Sequence, residues 1–310
     1  MIKLKTSHLI SLKDLSKEEI LQLLSFARKI KKKHHLNVLK DKIIALLFSK
    51  SSTRTRLSFE VGIRQLGGSS IYLNVQELQL GRGETIEDTA KIFSRFVNGV
   101  IIRTYNHKDI ITFAENSSIP VINGLTDFLH PCQILSDLLT ISEFKDIDNS
   151  LNICYIGDAN NVANSWLEAA VILGFNINFV VPEEYNFKKE IFDHIGYKCN
   201  NLPENINIEH KFNPSVLSKV DVIYTDVWVS MGQEKERKKR LKVFKKYKIN
   251  RELIKRCRSD VKIMHCLPAH RGEEIESEVI DSPNSIVFDQ AENRLHLQKA
   301  LLVMLLKDKI

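Results

Sequence analysis

Apolar positions recur along the chain with two alternating periods. After Ser16-Lys17-Glu18-Glu19, which has the S-x-x-E spacing of a capping box, Ile20, Leu23, Leu24, Ala27 and Ile30 fall on one helical face. Residues 42–48 then form a short, almost continuous apolar run, as a parallel strand covered on both faces requires. A polar loop leads into a helix predicted over 53–66 and stopped by Gly67-Gly68. The alternation continues with strands at 70–73, 100–103 and 120–122 and helices near 86–96, 109–115 and 131–144. A second series has strands at 151–157, 178–181, 222–225, 262–265 and 286–288, a helix around 165–173, and a long apolar helix over 292–306.

Strands alternating with helices argue for α/β architecture with parallel sheets and right-handed crossovers. A length of 310 residues fits two such domains, each doubly wound. The polar stretch 145–150 is the candidate junction, which divides the chain into residues 1–148, residues 149–290 and a final helix over 291–310. In sheets of this kind ligands bind at the carboxyl ends of the strands, so those loops carry the chemistry.

The first such loop is Ser51-Ser52-Thr53-Arg54-Thr55-Arg56, between a strand and a helix start. Unsatisfied N–H groups and the positive end of the helix dipole favour an anion there, and hydroxyls with two guanidiniums match phosphate oxygens. It lacks the glycines and the GK[ST] ending of a Walker loop. A Ser/Thr cap flanked by solvated arginines is the plainer alternative. The second loop is His130-Pro131-Cys132-Gln133, with proline at a first helical position and a His and a Gln able to bond a carbonyl oxygen and an amide NH2. Arg103 ends its strand on the same side. In the second half, Asp158-Ala159-Asn160-Asn161, residues 226–233 and His265-Cys266-Leu267-Pro268 offer a carboxylate, amides and main-chain groups suited to an amino acid, or simply to turns.

Composition narrows the picture. No stretch approaches the ~20 apolar residues of a membrane span, and the N-terminus has no signal-peptide core, which favours a cytoplasmic protein. Five scattered cysteines with no CxxC spacing point to thiols in a reducing compartment and to no metal site. The net charge of +7 is concentrated at 235–248, read as a solvated helix face. That run contains only Phe244 and Tyr247 as stacking candidates and matches no nucleic-acid motif, so neither nucleic acid nor membrane is an expected partner.

The motifs in order resemble the aspartate/ornithine carbamoyltransferase family over essentially the whole chain. Ser52-Thr53-Arg54-Thr55-Arg56 matches its S-T-R-T-R motif and His130-Pro131-Cys132-Gln133 its H-P-x-Q. Asp226 with Ser230-Met231-Gly232, His265-Cys266-Leu267-Pro268 and the 80–84 loop resemble the ornithine branch. The resemblance implies a carbamoyl phosphate-binding first domain, an ornithine-binding second domain, a last helix returning to the first, and an active site in the cleft between the two. It implies that Ser52, Thr53, Arg54 and Thr55 bind phosphate. Arg103, His130 and Thr55 would polarise the carbamoyl carbonyl, Gln133 would hold its NH2, and Arg294 would join them. Gln79 would come from the neighbouring protomer of a homotrimer. Asn161, Asp226, Ser230 and Met231 would grip ornithine, with closure of the 230–232 loop desolvating its amine. Cys266 and Leu267 would face that amine and belong also to the carbamoyl phosphate set, with Cys266 and Asp226 stabilising the reactive form. No metal and no organic cofactor is implied.

Other acceptors fit these residues less well. Putrescine has no carboxylate for Asn161, and aspartate would want a further cation where this loop offers Ser230 and Met231. A nucleic-acid-binding scaffold built on the 235–248 run is the rival from another class. One site would serve the reaction in either direction.

Overall fold

The computed structural model describes residues 4–33, 35–78, 83–211, 214–230 and 232–306. Two units divide the chain, one of residues 1–140 with 292–310 and one of residues 141–291.

The first unit is built on four parallel strands, β1 (Ile43–Phe48), β2 (Ser69–Asn74), β3 (Gly99–Arg103) and β4 (Val121–Leu125), in the order β2-β1-β3-β4. Its helices are α1 (Lys17–Lys31), α2 (Thr53–Gln65), α3 (Ile86–Phe96), α4 (His107–Glu115) and α5 (Pro131–Ile141). The second unit has five parallel strands, β5 (Asn152–Ile156), β6 (Asn176–Val180), β7 (Ile206–Glu209), β8 (Val222–Thr225) and β9 (Lys262–His265), in the order β7-β6-β5-β8-β9. Around it run α6 (Asn161–Leu173), α7 (Lys189–Ile195), α8 (Pro214–Leu217), α9 (Arg237–Phe244), α10 (Arg251–Ile254) and α11 (Ser277–Ile280); α12 (Val287–Leu306) ends the chain and contributes residues to both units. This is the expected pair of parallel α/β sheets.

Local chemistry sets the element ends. The capping box is complete: Ser16 Oγ accepts from Glu19 N at 3.2 Å, and Glu19 Oε2 accepts from Ser16 N at 2.9 Å. The other Glu19 oxygen takes Lys5 N at 2.7 Å, which lets this carboxylate be buried. Gly62 in α2 leaves room for α12, since a Cβ there would lie 3.3 Å from Lys299 Cγ and 3.4 Å from Leu295 Cδ1. That close approach brings Arg294 over the start of α2. In the second unit Trp166 packs edge-on against Tyr224 and Phe175, and Tyr224 stacks on Tyr155.

Four expectations change. Residues 286–288 are not a strand: Ser285 makes a single bridge to Ile263, and α12 begins at Val287, five residues earlier than expected. α7 and β7 were not foreseen. β7 has the pattern Ile-Asn-Ile-Glu and is only half-buried, so it lacks the apolar run of an inner strand. α6 begins at Asn161 because Asn160 caps it, accepting from Val162 N at 2.9 Å and Ala163 N at 3.2 Å. The basic run is not merely a solvated face: Phe244, Tyr247 and Arg240 of 235–248 are buried, which removes the only two stacking candidates from the surface. No described helix is long and apolar enough to cross a membrane.

Candidate active site

Each sheet has a switch point where consecutive connections turn to opposite sides, between β1 and β3 in the first unit and between β5 and β8 in the second. Residues 52–55 and Arg103 lie after β1 and at the end of β3, and Asn161, Asp226 and Ser230 after β5 and β8, where α/β sheets bind ligands; His130 and Gln133 follow β4, Cys266 and Leu267 follow β9, and Arg294 is on α12.

In the first unit, Ser52 caps α2 by accepting from Thr55 N at 3.3 Å, and Thr53, exposed, and Arg54, half-buried, open that helix. Thr55 is buried, and two guanidiniums converge on its hydroxyl: Arg103 Nη1 at 3.1 Å and Arg294 Nη2 at 2.7 Å. A hydroxyl has two lone pairs and one proton. With both lone pairs accepting, the Thr55 proton is directed away from the arginines. Arg103 and Arg294 are themselves buried, and two like charges on one oxygen favour an anion between them.

His130 precedes α5, its carbonyl accepting the first helical bonds from Gln133 N and Ile134 N. Burial above all, then the charges of Arg294 and Arg103, hold its imidazole well below the usual histidine range, so the ring is neutral at physiological pH. Gln133 Nε2 donates to Asp137 Oδ1 at 2.8 Å. A carboxylate can only accept there, which turns the Gln133 carbonyl toward any amide donor. Burial lifts the Cys132 thiol to about 12, in keeping with an inert core position. Arg56, the second guanidinium of the motif, is engaged elsewhere: it pairs with Glu60 at 3.0 Å and covers the Tyr72 ring at 3.7 Å. Lys50, by contrast, pairs with Asp127 and lies 3.9 Å from the Tyr105 ring.

In the second unit the centre is Asp226, buried at the end of β8. Its Oδ1 accepts from Val227 N at 2.8 Å and from Cys266 Sγ at 2.8 Å, and its Oδ2 accepts from Asn160 Nδ2 at 2.7 Å. Asn161, the first residue of α6, is half-exposed, as are Ser230 and Leu267. Ser230 N donates to Gln233 Oε1 at 3.0 Å. Asp158 does not face a ligand, because it pairs with buried Arg240. Gln79 and Met231 lie outside the described residues.

Asp226, His265 and Cys266 bring possible metal-ligand atoms within 4.8 Å of one another, as do His270, Glu273 and Glu274. In the first group both ring nitrogens of His265 are already engaged, Nδ1 by Leu267 N at 2.9 Å and Nε2 by Glu274 Oε1 at 3.1 Å. In the second, Glu274 Oε1 also takes His270 N at 2.5 Å and Glu273 is paired with Arg237. Either group would have to surrender these bonds to bind an ion.

The sequence offers Asn160 either to a ligand or to a turn and gives no sign of its bond to Asp226, nor of Asp137, which orients Gln133 from one helical turn away. Nor does it point to Glu274, nine positions after the strand end that residue supports.

The profile of the aspartate/ornithine carbamoyltransferase carbamoyl-P binding domain matches residues 7–143, and that of the Asp/Orn binding domain matches residues 149–305. An ornithine carbamoyltransferase of Bacillus cereus is 48% identical over 307 residues, covering 99% of this chain and 96% of its own. One from Thermococcus kodakarensis is 47% identical over 312 residues, 99% of this chain and 98% of its own. Among solved structures, the Pyrococcus furiosus ornithine carbamoyltransferase superposes with a TM-score of 0.89 at 44% identity, covering 99% of both chains. The anabolic enzyme of Campylobacter jejuni gives 0.88 at 38% identity, over 97% of this chain and 99% of that one. With both domain profiles matched in order and relatives of this identity aligned nearly end to end, the chain belongs to the aspartate/ornithine carbamoyltransferase family.

Proposed function

We propose that this chain transfers the carbamoyl group of carbamoyl phosphate to the side-chain amine of L-ornithine, giving L-citrulline and phosphate. The observation that carries the reading is the convergence of buried Arg103 and Arg294 on the Thr55 hydroxyl beside a neutral His130. Those groups suit an anion that carries a carbonyl. Ser52, Thr53, Arg54 and Thr55 at the start of α2 take the phosphate, with Arg294. Arg103, His130 and Thr55 donate to the carbonyl oxygen, and Gln133 accepts from the carbamoyl NH2.

The acceptor amine attacks the carbamoyl carbon, the new C–N bond forms, the C–O bond to phosphate breaks, and phosphate leaves with that electron pair and takes up the proton that the attacking nitrogen sheds. No protein nucleophile is required, because the leaving group is already good and positioning supplies much of the rate. The amine must lose a proton first. From a lysine-like pKa of ~10.4 this costs about 4–5 kcal/mol at pH 7. Asp226 and Cys266, bonded to each other and joined by Leu267, face that amine and the carbamoyl group. Asn161, Asp226, Ser230 and Met231 hold the amino acid's own charged groups.

Ornithine is favoured over putrescine and other amines because the relatives with 47–48% identity carry that name. A cytoplasmic homotrimer accompanies the reading, with Gln79 of a neighbouring protomer completing the phosphate site. Its support in the first unit is the exposure of Leu57, Ile71, Ile92 and Phe96, the last at 75%, together with the unpaired outer edge of β2.

Citrulline formation compared across ornithine, putrescine, aspartate and N-acetylornithine tests the acceptor. Strong preference for ornithine is the expected result, and turnover of another amine in its place would overturn the assignment. Cys266→Ala is expected to lower kcat by about tenfold and to move the alkaline-favoured limb of its pH profile. An unchanged rate with an unchanged profile would remove the thiol from the mechanism.

A further inference from the structure

We infer that Glu274 is a positioning residue for the acceptor half of the reaction: it fixes His265 in one tautomer and, through it, the loop that carries Cys266. This rests on the carbamoyl transfer proposed above.

His265 ends β9, and its two ring nitrogens have different partners. Nδ1 lies 2.9 Å from Leu267 N, and a backbone N–H can only donate, so Nδ1 supplies the lone pair. The neutral ring then carries its proton on Nε2, which donates to Glu274 Oε1 at 3.1 Å. The same carboxylate oxygen accepts from His270 N at 2.5 Å, tying the far end of the loop to the same point. His265 and Glu274 are both fully buried, so water does not compete for these bonds. The strand end is held from the other side by Gln290 Oε1, which accepts from His265 N at 2.9 Å.

Leu267 has φ of +54°, a left-handed conformation that a residue with a bulky side chain rarely adopts. Its N–H bond to His265 Nδ1 holds it there. Cys266 lies between these two residues, with Sγ 2.8 Å from Asp226 Oδ1. Glu274 thus reaches the amine-facing pair through two hydrogen bonds and the short backbone segment that carries Cys266.

Without the carboxylate, the His265 Nε2 proton loses its acceptor. The ring can then take the other tautomer, whose Nδ1–H would oppose Leu267 N–H and open the turn. Glu274→Ala is therefore expected to lower kcat/KM for ornithine by about 10–100-fold. Glu274→Gln, whose carbonyl can accept both bonds, should return to within about fivefold of the parent.

Two readouts accompany the kinetics. Nitrogen-15 correlation spectra of the histidines should show His265 protonated on Nε2 in the parent and in Glu274→Gln. Alkylation of Cys266 by iodoacetamide, measured against exposed Cys199, should accelerate in Glu274→Ala only. A parent His265 protonated on Nδ1 overturns the inference without any variant. So does a Glu274→Ala enzyme within about twofold of the parent, or a glutamine variant no better than alanine. If the parent turns over no amine at all, the proposed reaction is what has failed; the tautomer and alkylation results still decide whether Glu274 fixes the loop.

Discussion

Replacing Arg103 by methionine is expected to lower kcat/KM for carbamoyl transfer by about 10²–10³-fold, the usual cost of losing one donor to a developing oxyanion. Methionine keeps most of the side-chain length in a buried position and removes only the charge and its donors. Thr55 Oγ1 would keep Arg294 at 2.7 Å but lose the Arg103 bond at 3.1 Å, so its proton would no longer be directed by two acceptor bonds. Stability should hold or rise, because removing one of two like charges around one oxygen relieves their mutual repulsion. Inorganic phosphate should then raise the melting temperature of the parent more than that of the variant. The pH behaviour gives a second check. Arg103 is one of the causes that depress His130, so its loss moves the acid limb of the rate profile upward, although burial still keeps the ring below its ordinary value. For stability, a histidine with a lowered folded pKa contributes fully above its unfolded value of 6.5, and that contribution is lost as pH falls below it. A kinetic loss under about tenfold, with an unmoved acid limb, would reduce Arg103 to a structural cation.

How much of this was legible beforehand depended on whether the signal was local. The S-x-x-E spacing at Ser16 predicted a capping box, and the side chains form it, because both partners lie within one helical turn. The strands of the first sheet were visible as apolar runs because both of their faces are covered. β7, at a sheet edge with polar residues, gave no such run. The 286–288 segment has strand-like residues, yet it opens a helix; tertiary placement overrode the local preference there. The same division holds for the site. Thr55, Arg103 and His130 each sit beside a strand end and could be found from position alone. Arg294 reaches Thr55 across 239 residues and was placed only by family resemblance. The supports, Asn160 for Asp226 and Glu274 for His265, are held by bonds spanning 66 and 9 residues, and no periodicity reports such a pairing. The basic run conceals its buried residues for a related reason. A lysine- and arginine-rich helix looks solvated unless one knows that a carboxylate 82 residues away waits for one of its arginines.

That arginine is the subject of the second large effect. Arg240→Met is expected to cost about 3–5 kcal/mol of folding stability, read from urea unfolding above pH 7, where the Asp158 carboxylate of the parent is ionised, because it leaves that group buried without its cation. Arg240 pairs with Asp158, donates from Nε to Trp228 O at 2.5 Å, and packs its guanidinium 4.4 Å from the Tyr185 ring. Burial raises the Asp158 carboxyl to about 7, Arg240 opposing the rise and Asp226 adding to it. The double variant with Asp158→Asn should recover most of the loss, since neither charge then remains. The pH dependence follows from the sign of the shift. Between its unfolded value of 3.8 and about 7, folded Asp158 holds a proton that the unfolded chain has released. Its contribution is present below that window and lost as pH rises through it. The parent should therefore lose stability relative to the single variant Asp158→Asn between about pH 4 and 7. In Arg240→Met the window should extend further upward, since the cation that pulled the carboxyl down is gone. Because Trp228 stands two residues before Ser230, the same variant should raise KM for ornithine while leaving that for carbamoyl phosphate near the parent value. A loss of under about 1 kcal/mol, with both KM values unmoved, would mean that Asp158 finds water or another donor as readily as Arg240, and that the segment leading to Ser230 is anchored by its apolar residues alone.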